Sequence, residues 1–259
     1  MITDFMIGPF ILMYHSIADD SNDPYSVSVD AFREQISWLS KNGFGVVSLS
    51  FLLRSIQLQN FGSLRKKVVI TFDDGCEDFI ANALPILLEY KAPATVFLVT
   101  DMLGKIASWS KSENNVRLMD EDEVRLITAK GINLGSHSAT HENLTLLAHQ
   151  EVQKQLRDSY DKLTAFGESF YAFSYPWGQW SSQIAYALKD AGYECAVSVG
   201  EKTRLTAANA YFLPRITMTR NMDLQRFKIL LSRTSVEREM RRIYGALLRK
   251  SLTPQNSKE

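Results

Sequence analysis

Cysteine is nearly absent. The 259 residues hold 2, Cys76 and Cys195, far apart and in neither a CxxC pair nor a Cys/His zinc-finger spacing. This excludes a disulfide framework and permits a reducing compartment. Long apolar runs are missing, and none approaches the ~20 residues that span a bilayer. Net charge is missing too: Lys+Arg is 29 and Asp+Glu is 29, a formal +0. No nucleic-acid partner is expected, because such proteins usually carry a basic excess. The apolar N-terminus carries Asp4, lacks a basic stretch and has no small-residue cleavage site. It reads as a first strand, and a cytoplasmic location is expected. Histidine is the last scarcity, with 4 in all: His15, His137, His141 and His149.

What is present is ordinary in bulk, with 45% hydrophobic and 22% charged residues, as in a soluble globular domain. Strand signals at 9–14, 46–49, 68–72, 95–99, 132–135, 171–175, 194–199 and 212–218 alternate with helix signals. Asp30 is expected to cap a helix over 31–42, and Ser50 to open one through 57. Pro85 restarts a helix within 79–91. Asp120 and Glu123 form a capping box, and further helices cover 146–166 and 181–191. Residues 105–118 read as a polar surface loop. Repeated strand–helix units without a linker imply an α/β domain. No Gly-rich phosphate loop follows a strand, which favours a (β/α) barrel over an open doubly wound sheet. The expected organisation is a domain over 1–222, a basic helix over 223–252 and a disordered tail over 253–259.

Three strand ends carry reactive side chains. Thr71-Phe72-Asp73-Asp74-Gly75 closes a buried strand with two carboxylates, which strand alternation should point in different directions and so suit to different roles. His137-Ser138-Ala139-Thr140-His141 has the spacing that puts two imidazoles on one side of a helical turn. Two imidazoles and one carboxylate form a facial set that binds zinc or another divalent ion and leaves positions open. Ser174-Tyr175-Pro176-Trp177-Gly178 is a loop whose aromatic faces suit sugar rings. Together these suggest a metal hydrolase in which Asp74, His137 and His141 hold one divalent ion, most simply Zn2+. Asp73 would be the general base, and a backbone N–H near Tyr175 would steady the oxyanion. Tyr175, Pro176 and Trp177 would bind substrate. The two cysteines read as inert, Cys76 near the site and Cys195 in a strand core.

These motifs resemble the polysaccharide deacetylase family, also called the NodB-homology domain or carbohydrate esterase family 4. The resemblance covers Thr71 to Gly75, His137 to His141, Ala83-Leu84-Pro85, Pro93-Ala94-Thr95-Val96-Phe97, Tyr175-Pro176-Trp177-Gly178 and Ala191-Gly192-Tyr193. It implies a distorted barrel and a metal-dependent enzyme that removes acetyl groups from a carbohydrate. It also implies Asp73 as base and Asp74, His137 and His141 as ligands. The family's third motif usually opens with an arginine, where this chain has Ser174. Arg215, at another strand end, could supply the guanidinium. The family's late histidine is absent. A permuted subgroup resembling poly-N-acetylglucosamine deacetylases carries it near the N-terminus, which points to His15 as the general acid.

Rival readings share the fold. One is a deformylase or O-deacetylase acting on a lipid-linked sugar. Another is a carbohydrate-binding pseudoenzyme, which Ser174 and the missing late histidine leave open and the intact Asp73, Asp74, His137 and His141 argue against. A third is an interaction protein working through its C-terminal helix. Arg233, Arg238, Arg241, Arg242, Arg249 and Lys250 make that helix basic, and it could touch an anionic membrane surface.

Overall fold

A computed structural model describes residues 8–19, 22–110, 116–200 and 209–232. Among these residues, ten strands run β1 (Phe10–Tyr14), β2 (Ser16–Ile17), β3 (Ser26–Val27), β4 (Gly45–Val46), β5 (Lys67–Phe72), β6 (Ala94–Leu98), β7 (Asn133–Ser136), β8 (Ala172–Ser174), β9 (Cys195–Val199) and β10 (Leu213–Thr217). Seven α-helices among the described residues accompany them: α1 (Val29–Lys41), α2 (Leu49–Gln57), α3 (Leu84–Glu89), α4 (Glu121–Ala129), α5 (His149–Ala165), α6 (Ser182–Asp190) and α7 (Leu224–Ser232).

The main sheet has the order β1-β10-β9-β8-β7-β6-β5-β4, and β1 also pairs with β5. That second pairing closes a barrel of 7 parallel strands. The seam is in full register, from Phe10 opposite Val68 to Tyr14 opposite Phe72. Strand β4 pairs with the start of β5, and β2 with β3 form a small separate ribbon.

The near-continuous apolar strands follow from burial on both faces. Phe10, Leu12, Val68, Ile70, Val96 and Leu134 cluster with α1, α3 and α4 on the outside. The alternate positions Ile11, Val69, Phe97, Ala172, Cys195, Val197 and Leu213 cluster with Leu49, Leu52, Leu53 and Ile56 of α2. A period of two therefore sends one set outward and the other into the barrel. The inward set lies near the strand starts, so α2 closes that end and leaves the strand C-termini open.

Local signals set most boundaries. The Asp120–Glu123 capping box forms as expected, and Pro85 sits in the first turn of α3. Ahead of α3, Phe79–Ala83 is wound as a π-helix. Two caps differ from expectation. Ser28, not Asp30, caps α1, and Ser48, not Ser50, caps α2, each through its side-chain oxygen. Leu49 therefore begins a helix instead of ending a strand. Helix α7 packs Phe227 and Leu231 into the outer core, with Phe227 edge-on to Trp38. The rest of the expected basic helix and the expected disordered tail lie outside the described residues. No described helix is long and apolar enough to cross a membrane.

Gly135 in β7 marks a tight spot inside the barrel. A Cβ there would meet the Phe97 ring at 2.4 Å and the Ala172 carbonyl at 3.2 Å. Phe97 lies under the Arg215 guanidinium, 5.5 Å from its ring centroid, and is poorly placed to yield. Gly135→Ala should destabilise the fold by about 1–3 kcal/mol, as overpacking does. Urea unfolding should show a lower midpoint at unchanged slope, and an unchanged midpoint would contradict this packing account.

Candidate active site and metal centre

The open end of the barrel collects every reactive strand end. Arg215, on β10, is 1% exposed, and its side chain reaches Asp73 at the end of β5. The pair is bidentate, with Nη1 donating to Oδ1 at 2.6 Å and Nη2 to Oδ2 at 2.6 Å. Nη1 also donates to Thr71 Oγ1 at 3.1 Å and Nη2 to Ser174 Oγ at 2.7 Å. Ser174 Oγ in turn donates to Asp73 Oδ2 at 3.1 Å. Burial alone would raise the Asp73 pKa. The Arg215 charge and its hydrogen bonds, aided by His137, override burial and hold this carboxyl well below the usual range.

Asp74 follows in a left-handed conformation, φ 70°, with Gly75 N–H bonded back to the Asp73 carbonyl at 2.9 Å. Gly75 itself has φ 80°, and a Cβ there would strike Leu98 at 2.8 Å. The turn reverses the alternation expected of a strand. Both carboxylates now face one imidazole, His137 Nε2 lying 4.0 Å from Asp73 Oδ2 and 3.6 Å from Asp74 Oδ1.

The two histidines do not lie on a helical turn, as their spacing suggested. Residues 137–142 are irregular, with Ser138 and His141 both at φ 64°. Such backbone is costly for non-glycine residues and persists where its surroundings over-determine it. Here Gln155 of α5 accepts from the Ala139 and Thr140 N–H groups, and Ser138 Oγ accepts from His141 N–H. His137 Nδ1 lies 2.8 Å from the Ser174 carbonyl. A carbonyl only accepts, so Nδ1 carries the proton and Nε2 presents a lone pair.

His141 Nε2 lies 3.4 Å from Asp74 Oδ1. The three donor groups of Asp74, His137 and His141 fall within 4.8 Å of one another. Asp74 Oδ1 is buried with no hydrogen-bond partner. Ligands about 2.1 Å from a tetrahedral centre stand about 3.4 Å apart, so this spacing fits a divalent ion such as zinc. Burial, with Asp73 nearby, lifts the Asp74 pKa to about 6 against the pull of His137. Burial above all pushes the His141 pKa far down, which keeps it neutral and able to ligate.

His15 follows β1 and lines the same cavity, which has a volume of about 440 Å³. Its ring stands 5.0 Å from that of Tyr25. Burial lowers its pKa, opposed by Asp73 and reinforced by Arg215, so the resting imidazole is neutral. Asp78 holds the adjoining segment, accepting from Ser16 Oγ and from Ile17 N–H.

Other expectations need correction. Tyr175 is 1% exposed, and its hydroxyl donates to the Tyr211 carbonyl at 2.9 Å, so it forms wall and offers no free face. Its N–H makes only a long bond to Val197, at 3.4 Å. Pro176 is buried. Trp177, 53% exposed at φ 61°, presents the open aromatic surface, and its indole N–H donates to the His141 carbonyl. In the segment 105–118, the described residues on either side of 111–115 are more than a surface loop. Ala107 and Leu118 are buried, and Trp109 stacks on His141 at the cavity wall. The missed signal was a tryptophan in a polar stretch. Asp23 on the rim was also missed, and nothing in its surroundings in the sequence singles it out. Cys76 is buried with its pKa raised well above normal, so it is no thiolate. His149 begins α5 outside the cavity.

Arg215→Met would leave Asp73 buried without its counter-charge. Breaking such a pair costs about 3–5 kcal/mol. The folded Asp73 pKa is depressed, so its contribution is full above the ordinary carboxylate range near pH ~4 and is lost as pH falls through the lower folded value. In the variant, Asp73 gains by protonation. The stability gap from wild type should therefore be largest at neutral pH and shrink below pH ~4, as read by urea unfolding at both pH values.

The fold and site can be set beside known proteins. A poly-beta-1,6-N-acetyl-D-glucosamine N-deacetylase of Staphylococcus aureus (strain MRSA252) is 29% identical over 223 residues, 82% of this chain and 74% of that protein. The Streptococcus pyogenes deacetylase PplD, solved in complex with acetate, shares the fold. Its TM-score is 0.75 at 23% identity, over 88% of this chain and 100% of that one. A de-N-acetylase from Aggregatibacter actinomycetemcomitans aligns at TM-score 0.72 and 19% identity, over 85% and 98%. A sequence profile described as polysaccharide deacetylase matches residues 62–196, a span that holds both aspartates and the histidine turn, and the chain belongs to that family.

Proposed function

We propose that this protein removes N-acetyl groups from amino sugars of a polysaccharide, using a divalent ion held by Asp74, His137 and His141. The observation that carries this reading is their convergence on one point, beside an Asp73 that Arg215 keeps ionised and out of that ligand set. The S. aureus relative is an N-deacetylase by name, which supports an amide-linked acetyl group over a formyl or O-acetyl group. Arg215 also weakens the pseudoenzyme reading, since it brings to Asp73 the guanidinium that Ser174 lacks.

When bound, the ion would acidify water and polarise the acetamido carbonyl. The protein's residues do the rest. Arg215 and Ser174 orient the Asp73 carboxylate and occupy three of its roughly four lone-pair directions, leaving capacity for a water proton. A carboxylate of such low basicity is a weak acceptor, so the transfer depends on the acidity that a bound ion would lend the water. Attack on the carbonyl carbon gives a tetrahedral centre, and the amine leaves only if its nitrogen gains a proton. His15 reaches the same cavity. Its neutral ring gains basicity as negative charge arises nearby, takes up a proton from solvent through the open mouth of the cavity and passes it to that nitrogen, while the proton that Asp73 took from water returns to solvent. Acetate and the free amine are the products. Trp177, and Tyr25 at 47% exposure, offer apolar faces to the sugar at the rim.

Acetate release from N-acetylglucosamine oligomers, with and without a chelator, tests the reading. Asp73→Asn should lower kcat by about 10²–10⁴ while retaining the metal. His15→Ala should lose a similar factor on the amide. It should lose far less on an aryl acetate, whose leaving group needs no proton. Chelator-resistant activity, or equal losses on both substrates, would count against these roles.

A further inference from the structure

His141 is clamped between two indoles. The Trp109 ring lies face to face with its imidazole, centroids 4.2 Å apart and planes 13° off parallel. The Trp177 ring leans on the imidazole at 5.0 Å and 60°. The two contacts differ in kind. Trp177 is half exposed and bonds the backbone carbonyl of His141, so it steadies the turn. Trp109 touches the side chain itself. Trp109 and Asp74 also line one cavity, in which the buried indole N–H and the buried Asp74 Oδ1 both lack a hydrogen-bond partner.

Trp109 is itself held in place. Cys76, Val99, Ala107 and Leu118 pack behind it, and the chain around it is braced by Ala107 N–H to the Val116 carbonyl at 2.8 Å. The next residue, Ser110, donates to Asp23 Oδ2 at 3.3 Å across the cavity rim. One side chain thus stacks on one member of the ligand set and brings an unpaired donor into the cavity that holds another.

We propose that Trp109 is a positioning residue for the metal centre: its ring fixes the plane of the His141 imidazole, and its indole N–H orients the Asp74 carboxylate. The inference rests on the metal reading above and goes beyond it. Groups that orient ligands in this way commonly contribute 10–100-fold in metal affinity. A purely structural wall residue would affect stability and leave the coordination sphere unchanged.

The test uses the full chain, stripped with a chelator and titrated with Co2+. The affinity and the visible absorption band of the bound ion are read together. Trp109→Leu keeps bulk and removes both the aromatic face and the N–H. It should bind Co2+ about 10–100-fold more weakly, with a displaced band. Trp109→Phe keeps the face alone and should fall between the wild type and the leucine variant. A folded Trp109→Leu protein with wild-type affinity and band would overturn the proposal. Should that variant not fold, wild-type affinity and band in Trp109→Phe would overturn it instead. If wild-type protein took up no Co2+, the metal reading itself would fail, and this inference with it.

Discussion

The bidentate pair between Arg215 and Asp73 is the interaction on which the rest of the site depends. A guanidinium and a carboxylate sit inside the barrel, each almost wholly buried. Neither is tolerable there alone, because desolvating an unpaired ion costs several kcal/mol. Thr71, Ser174 and the Phe97 ring complete the surroundings of the guanidinium. The pair ties β10 to the end of β5 across the barrel, and it keeps Asp73 ionised and turned toward the cavity. Ser174 has a positive role in this arrangement. Its hydroxyl bridges both partners, and its short side chain coexists with an arginine arriving from another strand.

Around that pair, irregular backbone places the remaining groups. Asp74, His141 and Trp177, which line the cavity, and the buried Ser138 all take left-handed conformations. Each is held by neighbours already in the fold. Gln155 and Ser138 brace the histidine turn, the Ser174 carbonyl sets the His137 tautomer, and Asp78 anchors the segment after His15. Strain of this kind belongs with preorganisation: the backbone accepts a local cost so that three ligand groups converge.

Much of this was legible in the residues. The alternating strand and helix signals implied a barrel, and the capping box and the Pro85 restart were local enough to read directly. Scarcity helped as well. With only 4 histidines, three fall on one cavity, and their placement at strand ends was visible in the order of the chain. What misled was local geometry applied where tertiary contacts rule. The His137–His141 spacing fits a helical turn, but Gln155 captures the N–H groups that a helix would use. The Asp73–Asp74 pair should diverge on a strand, but a left-handed turn at Asp74 aims both at His137. Tyr175 looked like a free aromatic face, but its hydroxyl found the Tyr211 carbonyl and the ring went inward.

The sequence by itself determined the fold class, the family resemblance and the residue types at the open ends of the strands. Those features rest on periodicity and on short motifs, which need no knowledge of distant neighbours. Only the tertiary structure decided that Arg215 reaches Asp73, that Trp109 rests on His141, and that His15 shares their cavity. Each of those meetings joins segments far apart in the chain. No local pattern encodes them, because they arise when the β1–β5 seam closes the barrel and brings seven strand ends to one mouth.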